Sequence, residues 1–476
     1  MTRTTPTLVR DSFFSSIGVL VQGGARFAFN VVVGRVAGPA VLSSVSAGVA
    51  LATLVSLLTP SAAGQAASRY LAMEMGAGRQ EMVGGIVRHI GGRVALALAV
   101  LAPAAAVIAV PAFDVGWWDA LWICLLSLAF SAYNLVRGMQ FGLGKVLAAT
   151  RWEILSALVT FGSLAAVVLA DQPAHFLAPL TIGYSVYAVA GWPRRSSADR
   201  PARIPAAMRR EIDAFIAWAV VGTVMSSGLL QFSMLLAKGA ETAHAAGLYA
   251  AAVSLATPAT MAARAFSMAL MPAMARATGR GDTEGRRRHT DLGTRSLVAT
   301  MVGLFGALAI LSDHILVLFY GAEFREGATS LRILVVAVMF GTLSIAAVND
   351  LTTKSRHGIR TSALLNACGF VTGAVGMLLL IPRFGIVGVA VGCLAGSVMT
   401  AALPLLLVWR TERQQWTGLA VLTVSGVALI AVCATVSAQL ESLGWSVCLA
   451  MVFLAAWAAL DWRDWKPLLT ALLPTR

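Results

Sequence analysis

Three polar side chains lie one helical turn apart within the first apolar stretch of the chain. Gln22, Arg26 and Asn30 follow i, i+4, i+8 spacing, which places them on one face of a helix. An arginine stays charged at every physiological pH, and its planar fork can hold two phosphate oxygens at once. We therefore expect this face to line a water-filled cavity that attracts an anion. The alternative is a structural ion pair, or a position from which the side chain reaches the head groups.

A second arginine has similar surroundings further along the chain. Thr260, Arg264 and Ser267 fall on one face of the eighth apolar stretch, and Gln231 lies on a polar stripe of the seventh. Ionisable groups at membrane depth are costly, and they usually face a cavity or a partner. The sequence thus predicts an anion site formed by Arg26 and Arg264, with Gln22, Asn30, Thr260 and Gln231 lining the polar cavity.

A further polar set marks the inner ends of the fourth and tenth stretches. It contains Asn134, Arg137, Asn349, Asp350 and Lys354, which we interpret as residues of a possible cavity or gate. For Arg137 and Lys354, anchoring at the membrane interface is the simpler explanation. Acidic residues are missing from the middle of the stretches, which does not favour a transporter that uses a buried carboxylate as its proton or sodium relay.

The elements that must position these residues are membrane-spanning helices. The chain is 58% hydrophobic and only 12% charged, with a mean hydropathy of +0.79. A helix needs about 20 apolar residues to cross the hydrocarbon core. The sequence predicts fourteen such spans, at 13–34, 41–61, 94–112, 117–136, 152–170, 176–192, 214–237, 245–271, 296–312, 331–349, 361–381, 385–409, 417–437 and 443–460.

The positive charge of the chain predicts how these spans are oriented. Of the 36 Lys and Arg residues, five fall in loops that are external if both termini are cytoplasmic: Arg35, Lys238, Arg325, Arg332 and Arg383. Apart from Arg26 and Arg264, all the others fall on the cytoplasmic side, as the positive-inside rule requires. We therefore predict a multi-pass protein of the bacterial cytoplasmic (inner) membrane with both termini in the cytoplasm. The net charge of +14 reflects these loops, and no nucleic-acid partner is predicted.

The spans divide into two sets of six. A segment rich in Pro, Arg and Ser at 193–213 predicts a cytoplasmic linker between an N-lobe at 1–192 and a C-lobe at 214–410. Matching positions recur at an offset near 200, such as Pro60 with Pro258, and near 215, such as Asn134 with Asn349. Because each set contains an even number of spans, both sets begin on the same side of the membrane. The pattern therefore indicates a parallel repeat. The last two spans and the tail, 411–476, lie outside it.

The motifs of several enzyme classes and metal sites are missing from the sequence. There is no phosphate-binding loop of the Gly-x-x-x-x-Gly-Lys-Ser/Thr type, and there is no His-x-x-x-His or Cys-x-x-Cys pair. We expect no cofactor, no metal and no enzymatic activity.

Four stretches resemble a known transporter family. Residues 380–390, LIPRFGIVGVA, resemble a signature of the polysaccharide-transport (Wzx-like) branch of the MOP flippase superfamily, which is related to lipid II flippases and MATE transporters. Residues 33–39, 68–72 and 318–324 resemble that family's segments after the first, second and ninth spans. The resemblance extends over nearly the whole chain, and the four stretches occur in the family's order.

The resemblance implies an all-α polytopic membrane protein of MATE-like fold, with two six-helix lobes and two further C-terminal helices. It implies alternating access and transport of a polyprenyl-diphosphate-linked oligosaccharide (undecaprenyl type) from the inner to the outer leaflet. Membrane lipids, a glycan polymerase and export machinery would be its partners. The roles of Arg26 and Arg264 come from helix geometry and not from the resemblance.

Three other functions remain open on sequence grounds. A multidrug or cation-coupled antiporter of the same superfamily would need an essential buried carboxylate, and Asp350 and Glu153 are the candidates. A membrane glycan polymerase or ligase would need a large outer loop, which the predicted topology lacks. A scaffold could recruit partners through the basic triplet 286–288, although topology control explains those arginines more simply.

Overall fold

The protein is entirely helical in the part of the chain that its computed structural model describes. That part comprises residues 5–113, 115–193, 204–258, 260–261, 270, 274, 282–354, 356–439 and 442–462. Ten of the described helices or helix pairs are long and apolar enough to cross a membrane. Arg264 lies outside the described residues.

Eight α-helices are described between residues 5 and 256. They are α1 (Thr5–Leu58), α2 (Pro60–Gly76), α3 (Gln80–Phe113), α4 (Trp117–Gly142), α5 (Val146–Leu169), α6 (Ala178–Gly191), α7 (Ala206–Ala240) and α8 (Ala243–Ala256). The C-terminal half contains α9 (Thr283–Ile310), α10 (Ser312–Tyr320), α11 (Ala328–Leu343), α12 (Ile345–Lys354), α13 (Arg356–Glu412), α14 (Thr417–Gln439) and α15 (Leu443–Leu460).

Two very long helices each contain two of the predicted spans. At 54 and 57 residues, α1 and α13 are far longer than the roughly 30 Å hydrocarbon core allows. Each is interrupted by one glycine with a positive φ: Gly38 at 75° and Gly385 at 55°. Only glycine adopts these conformations without strain. Both glycines lie in the stretches that carry the family resemblance, so those motifs mark helix breaks between consecutive spans.

Thr-Pro pairs end regular helix at matching positions of the predicted repeat. In the first half, Thr59 lies between α1 and α2, and Pro60 begins α2. In the second set of six predicted spans, α8 ends at Ala256, directly before Thr257 and Pro258. A proline lacks the backbone donor that a continuing helix needs, which explains both breaks. The two breaks agree with the offset between Pro60 and Pro258.

Packing divides the chain into two compact units, Met1–Gly247 and Leu248–Arg476. The first unit includes α7, because α7 packs against α1, α2 and α3. This grouping differs from the division at 193–213 that the sequence predicts, since chain connectivity alone does not say which helices pack most closely. The predicted lobe boundaries stay a prediction.

Within the first unit, α2 and α4 approach closely along a line of glycines. A Cβ added at Gly138 would overlap the carbonyl of Gly64, and one at Gly64 would lie 2.7 Å from the carbonyl oxygen of Asn134. Small residues at such crossings let helix backbones pack in direct contact within a membrane. This contact holds the middle of α4, and with it Asn134 and Arg137, in a fixed position.

Within the second unit, the last two helices pack against α9. The indole of Trp457 on α15 is buried and donates to the carbonyl of Ala299 on α9 at 2.8 Å. Gly426 on α14 leaves room for that ring, since a Cβ there would lie 2.7 Å from it. The two helices outside the repeat are therefore integral to the second unit.

Candidate functional site

Arg26 lies within the first unit, among side chains from three other spans. Its Nη2 donates to the hydroxyl of Thr53 at 3.3 Å, and its guanidinium carbon lies 5.8 Å from the ring centroid of Phe130. The Thr53 hydroxyl in turn donates to the carbonyl of Val49 at 2.7 Å. The arginine is thus held by one neutral hydroxyl and one aromatic face, both weak partners for a full charge.

Gln22 reaches the same place from one helical turn earlier. Its side chain lies near the hydroxyl of Tyr184 on α6, and Tyr184 lines the same small cavity as Arg26. The Tyr184 ring packs against Phe130 with 5.0 Å between centroids. The predicted stripe of Gln22 and Arg26 is therefore brought to one polar and aromatic pocket by α1, α4 and α6.

The pocket around Arg26 is small and contains no acidic side chain. Its volume is about 10 Å³, which is room for the centre of one water molecule. Its lining is aliphatic, aromatic and hydroxyl-bearing: Arg26, Val49, Ala52, Thr53, Leu126, Phe130, Leu180 and Tyr184. Among the described residues, no carboxylate pairs with Arg26, so its charge is the unbalanced feature of this pocket.

A complete ion pair lies next to this pocket. Arg137 Nε is 2.7 Å from Glu153 Oε1, and the Glu153 side chain is only 2% exposed. The hydroxyl of Tyr133 donates to the same carboxylate at 3.2 Å. Gly18 on α1 lies against the carboxylate so closely that a Cβ there would overlap it. Arg137 is therefore balanced by an acid, whereas no acid in the described part of the chain balances Arg26.

Asn134 supports the break between α1 and α2. Its Nδ2 donates to the hydroxyl of Ser56 at 3.1 Å and to the carbonyl of Phe130 at 2.9 Å. The Ser56 hydroxyl is also 2.9 Å from that of Ser61 on the other side of the break. The remaining two predicted cavity residues of this unit, Asn30 on α1 and Gln231 on α7, are half-buried.

In the second unit, two residues of the predicted gate belong to an ionic cluster. Asp350 on α12 pairs with Arg286 on α9 and accepts from Thr290 at 3.1 Å. Lys354 pairs with Glu412 at 2.5 Å, and Arg286 reaches Glu412 at 3.0 Å. The cluster joins α9, α12 and the end of α13. It also places the first arginine of the basic triplet in the interior, with a side chain only 6% exposed.

The other residues predicted for this half have local surroundings. Asn349 is buried, and its carbonyl accepts from the hydroxyl of Thr352 at 3.1 Å. Thr260 is half-buried, and its hydroxyl donates to the carbonyl of Thr257 at 2.7 Å. Because Arg264 lies outside the described residues, only Arg26 of the two arginines in the predicted anion site can be placed.

Sequence reasoning missed several residues that shape these sites. Thr53, Phe130 and Tyr184 surround Arg26, and Glu412 balances Lys354. The sequence indicated Glu153 as a candidate carboxylate, but not as the partner of Arg137. Thr53 and Tyr184 could have been found as polar groups inside predicted spans. The ion pair between Glu412 and Arg287 could not be predicted from the sequence, because 125 residues separate the two.

Comparison with known proteins identifies the family. Residues 140–456, well over half of the chain, match the family described as lipid II flippase MurJ. The chain belongs to the MurJ family. It is accordingly a multi-pass membrane protein of the flippase and transporter type. The resemblance found in the sequence is confirmed at the level of the MOP superfamily, and its polysaccharide-transport branch stays a prediction.

Solved structures of the superfamily show the same fold. Lipid II flippase MurJ in an inward closed conformation aligns with a TM-score of 0.66 at 9% identity, over 95% of this chain and 100% of that one. An inward-facing multidrug resistance MATE transporter of the MOP superfamily gives 0.66 at 13% identity, over 89% and 99%. An outward-facing multidrug resistance MATE transporter of the same superfamily aligns with a TM-score of 0.59 at 14% identity, over 90% of this chain and 96% of that one. No curated protein sequence matches the chain. The predicted fold class, all-α and MATE-like, is confirmed.

Proposed function

We propose that this member of the MurJ family moves a polyprenyl-diphosphate-linked saccharide from the inner to the outer leaflet by alternating access. The saccharide would serve a cell-wall polymer, a capsule or an exopolysaccharide. One observation carries the proposal: Arg26 is a permanent charge inside a helical membrane unit, and no acid among the described residues balances it. A half-buried charge at membrane depth is costly unless an anion arrives.

The diphosphate of such a lipid suits this position. A guanidinium fork can hold two phosphate oxygens in a bidentate manner. To do so, Arg26 would give up only its hydrogen bond to Thr53 and its contact with the ring of Phe130. Gln22 is one turn away and offers a neutral amide for sugar or phosphate oxygens. Because the pocket has room for only about one water molecule, binding requires α1 to separate from α4 or α6.

The remaining residues of the site extend this proposal. Arg264 would supply a second cation for the diphosphate, and Asn30, Thr260 and Gln231 would contact the saccharide. Asn134, Arg137, Asn349, Asp350 and Lys354 would act at the gate by holding helix ends, which agrees with the ion pairs of Arg137 and Lys354. We propose lobes at 1–192 and 214–410, and both termini in the cytoplasm.

A cation-coupled multidrug antiporter is the second candidate. Glu153 favours it, since this acid is buried among the spans of the first unit. Multidrug transporters of the MATE family also share the fold. Against it, Glu153 is neutralised by Arg137, which makes it a poor binding site for a cationic drug or a coupling ion. If the antiporter is correct, Glu153→Gln and Asp350→Asn abolish drug resistance.

The deciding experiment measures lipid-linked sugars in cells depleted of the protein. Mass spectrometry of polyprenyl-diphosphate sugars should show one complete lipid-linked unit accumulating, and its mass would identify the saccharide. Lipid II and a polysaccharide repeat unit differ in mass, so the same spectrum separates a cell-wall substrate from a capsule or exopolysaccharide substrate. An unchanged lipid pool together with increased sensitivity to cationic drugs would refute the flippase and support the antiporter.

A further inference from the structure

An open cavity lies where α13 ends and the chain turns toward α14. Its volume is about 400 Å³, and it is lined by Leu406, Trp409, Arg410, Arg413 and Gln414. The first three follow i, i+3, i+4 spacing and so share one face of the helix. None of these residues belongs to the site around Arg26, which lies in the other compact unit.

The two arginines of this cavity are exposed and lack acidic partners within the described part of the chain. The acid between them, Glu412, faces the opposite way. Its side chain is 3% exposed and pairs with Arg287 at 2.8 Å and with Lys354 at 2.5 Å. Because the Glu412 carboxylate is already paired in the interior, it does not neutralise Arg410 and Arg413. These two arginines therefore present a pair of positive charges to the outside.

The turn that holds the arginines is fixed by hydrogen bonds. The backbone N–H of Gln414 donates to the carbonyl of Trp409 at 3.2 Å, and its side chain donates to the carbonyl of Arg287 at 3.2 Å. Arg295 donates to the carbonyl of Gln415 at 3.1 Å. Arg413 itself has φ of 50°, an unusual value for a residue with a side chain. The two charges are therefore presented by a preorganised loop.

The order of side chains along the helix matches the order of groups in a phospholipid. At about 1.5 Å per residue, Leu406 lies roughly 6 Å closer to the hydrocarbon than Arg410. Trp409 lies between them in height, and tryptophan is the residue typical of the membrane interface. Apolar, interfacial and basic groups thus follow one another toward the water.

We propose that this cavity binds one anionic glycerophospholipid, with its phosphate between Arg410 and Arg413 and an acyl chain along Leu406 and Trp409. In the orientation predicted by the loop charges, the lipid belongs to the cytoplasmic leaflet, where basic pockets beside helix ends recognise anionic head groups. A zwitterionic lipid is disfavoured because its ammonium group would face two arginines.

Native mass spectrometry of the delipidated full-length protein tests this proposal. Phosphatidylglycerol is titrated against wild type, Arg410→Gln/Arg413→Gln and the control Arg209→Gln/Arg210→Gln, which removes two exposed charges at the start of α7. We expect one tight adduct in wild type and in the control. In the Arg410→Gln/Arg413→Gln variant its apparent Kd should rise about 30-fold, the combined effect of two basic contacts at a membrane surface.

Three outcomes would overturn the proposal. One is equal binding of phosphatidylglycerol by all three proteins. The second is equal binding of phosphatidylcholine by wild type, which would show that the head-group charge is not recognised. The third is displacement of the adduct by millimolar pyrophosphate, which would identify a site for free phosphates. Circular dichroism of each variant establishes that its helices are intact, so a loss of binding is assigned to the cavity.

Discussion

Arg26 is the single residue on which the proposed transport depends most directly. Replacing it with Gln keeps hydrogen-bonding groups but removes the charge that would hold a diphosphate. Because a charged hydrogen bond contributes about 1.5–3 kcal/mol, we expect export to slow at least tenfold. Accumulation of the lipid-linked unit, normalised to protein level in the membrane, measures this. Arg88→Gln, on the exposed face of α3, removes the same charge elsewhere and should export normally. Full activity of Arg26→Gln contradicts the assigned role.

Glu153 and Arg137 lead to a prediction about stability. Removing one partner of a buried ion pair leaves the other charge uncompensated, which costs about 3–5 kcal/mol. Glu153→Gln should therefore lower the melting temperature strongly, whereas Glu153→Leu/Arg137→Met should recover most of the loss. Size-exclusion chromatography of heated, detergent-purified protein measures both. If the single and double variants melt alike, the pair seen at 2.7 Å does not couple the two residues.

At the scale of elements, the contact between α2 and α4 depends on glycine. A Cβ at Gly138 would overlap the backbone of Gly64, so Gly138→Ala must push the two helices apart. Overpacking of this kind costs about 1–3 kcal/mol. Gly92→Ala on α3 is the matched control, because nothing lies within 4 Å of its added Cβ. We expect a lower melting temperature for Gly138→Ala alone, and equal melting of the two variants would show that the crossing is not tight.

At the scale of the whole molecule, the loop charges predict the orientation in the membrane. In a chain whose five cysteines are replaced by alanine, Arg288→Cys should be cytoplasmic and Arg325→Cys external. Both arginines are exposed, so a thiol at either place is accessible. A membrane-impermeant maleimide should label Arg325→Cys in intact cells and Arg288→Cys only after lysis. Reversed labelling would place the termini outside and would put the proposed phospholipid in the outer leaflet.

The sequence by itself determined the helical membrane fold and the approximate positions of the spans. These follow from a local property, because a run of apolar residues must span the bilayer. The breaks at Gly38, Gly385 and Pro60 are not local in this sense, since Pro103 and Pro404 lie inside continuous helices. The shared face of Gln22 and Arg26 is equally local, since four residues make about one helical turn.

Only the tertiary structure decided which charges are balanced. In the sequence, none of Arg137, Arg286 and Arg26 shows an acidic partner. In the structure Arg137 and Arg286 pair with Glu153 and Asp350, while Arg26 contacts a hydroxyl and a ring. Arg286 and Asp350 are 64 residues apart, and no periodicity along the chain relates them. Whether a buried arginine is a structural partner or a free cation depends on which helices pack together, and that packing is a property of the folded molecule.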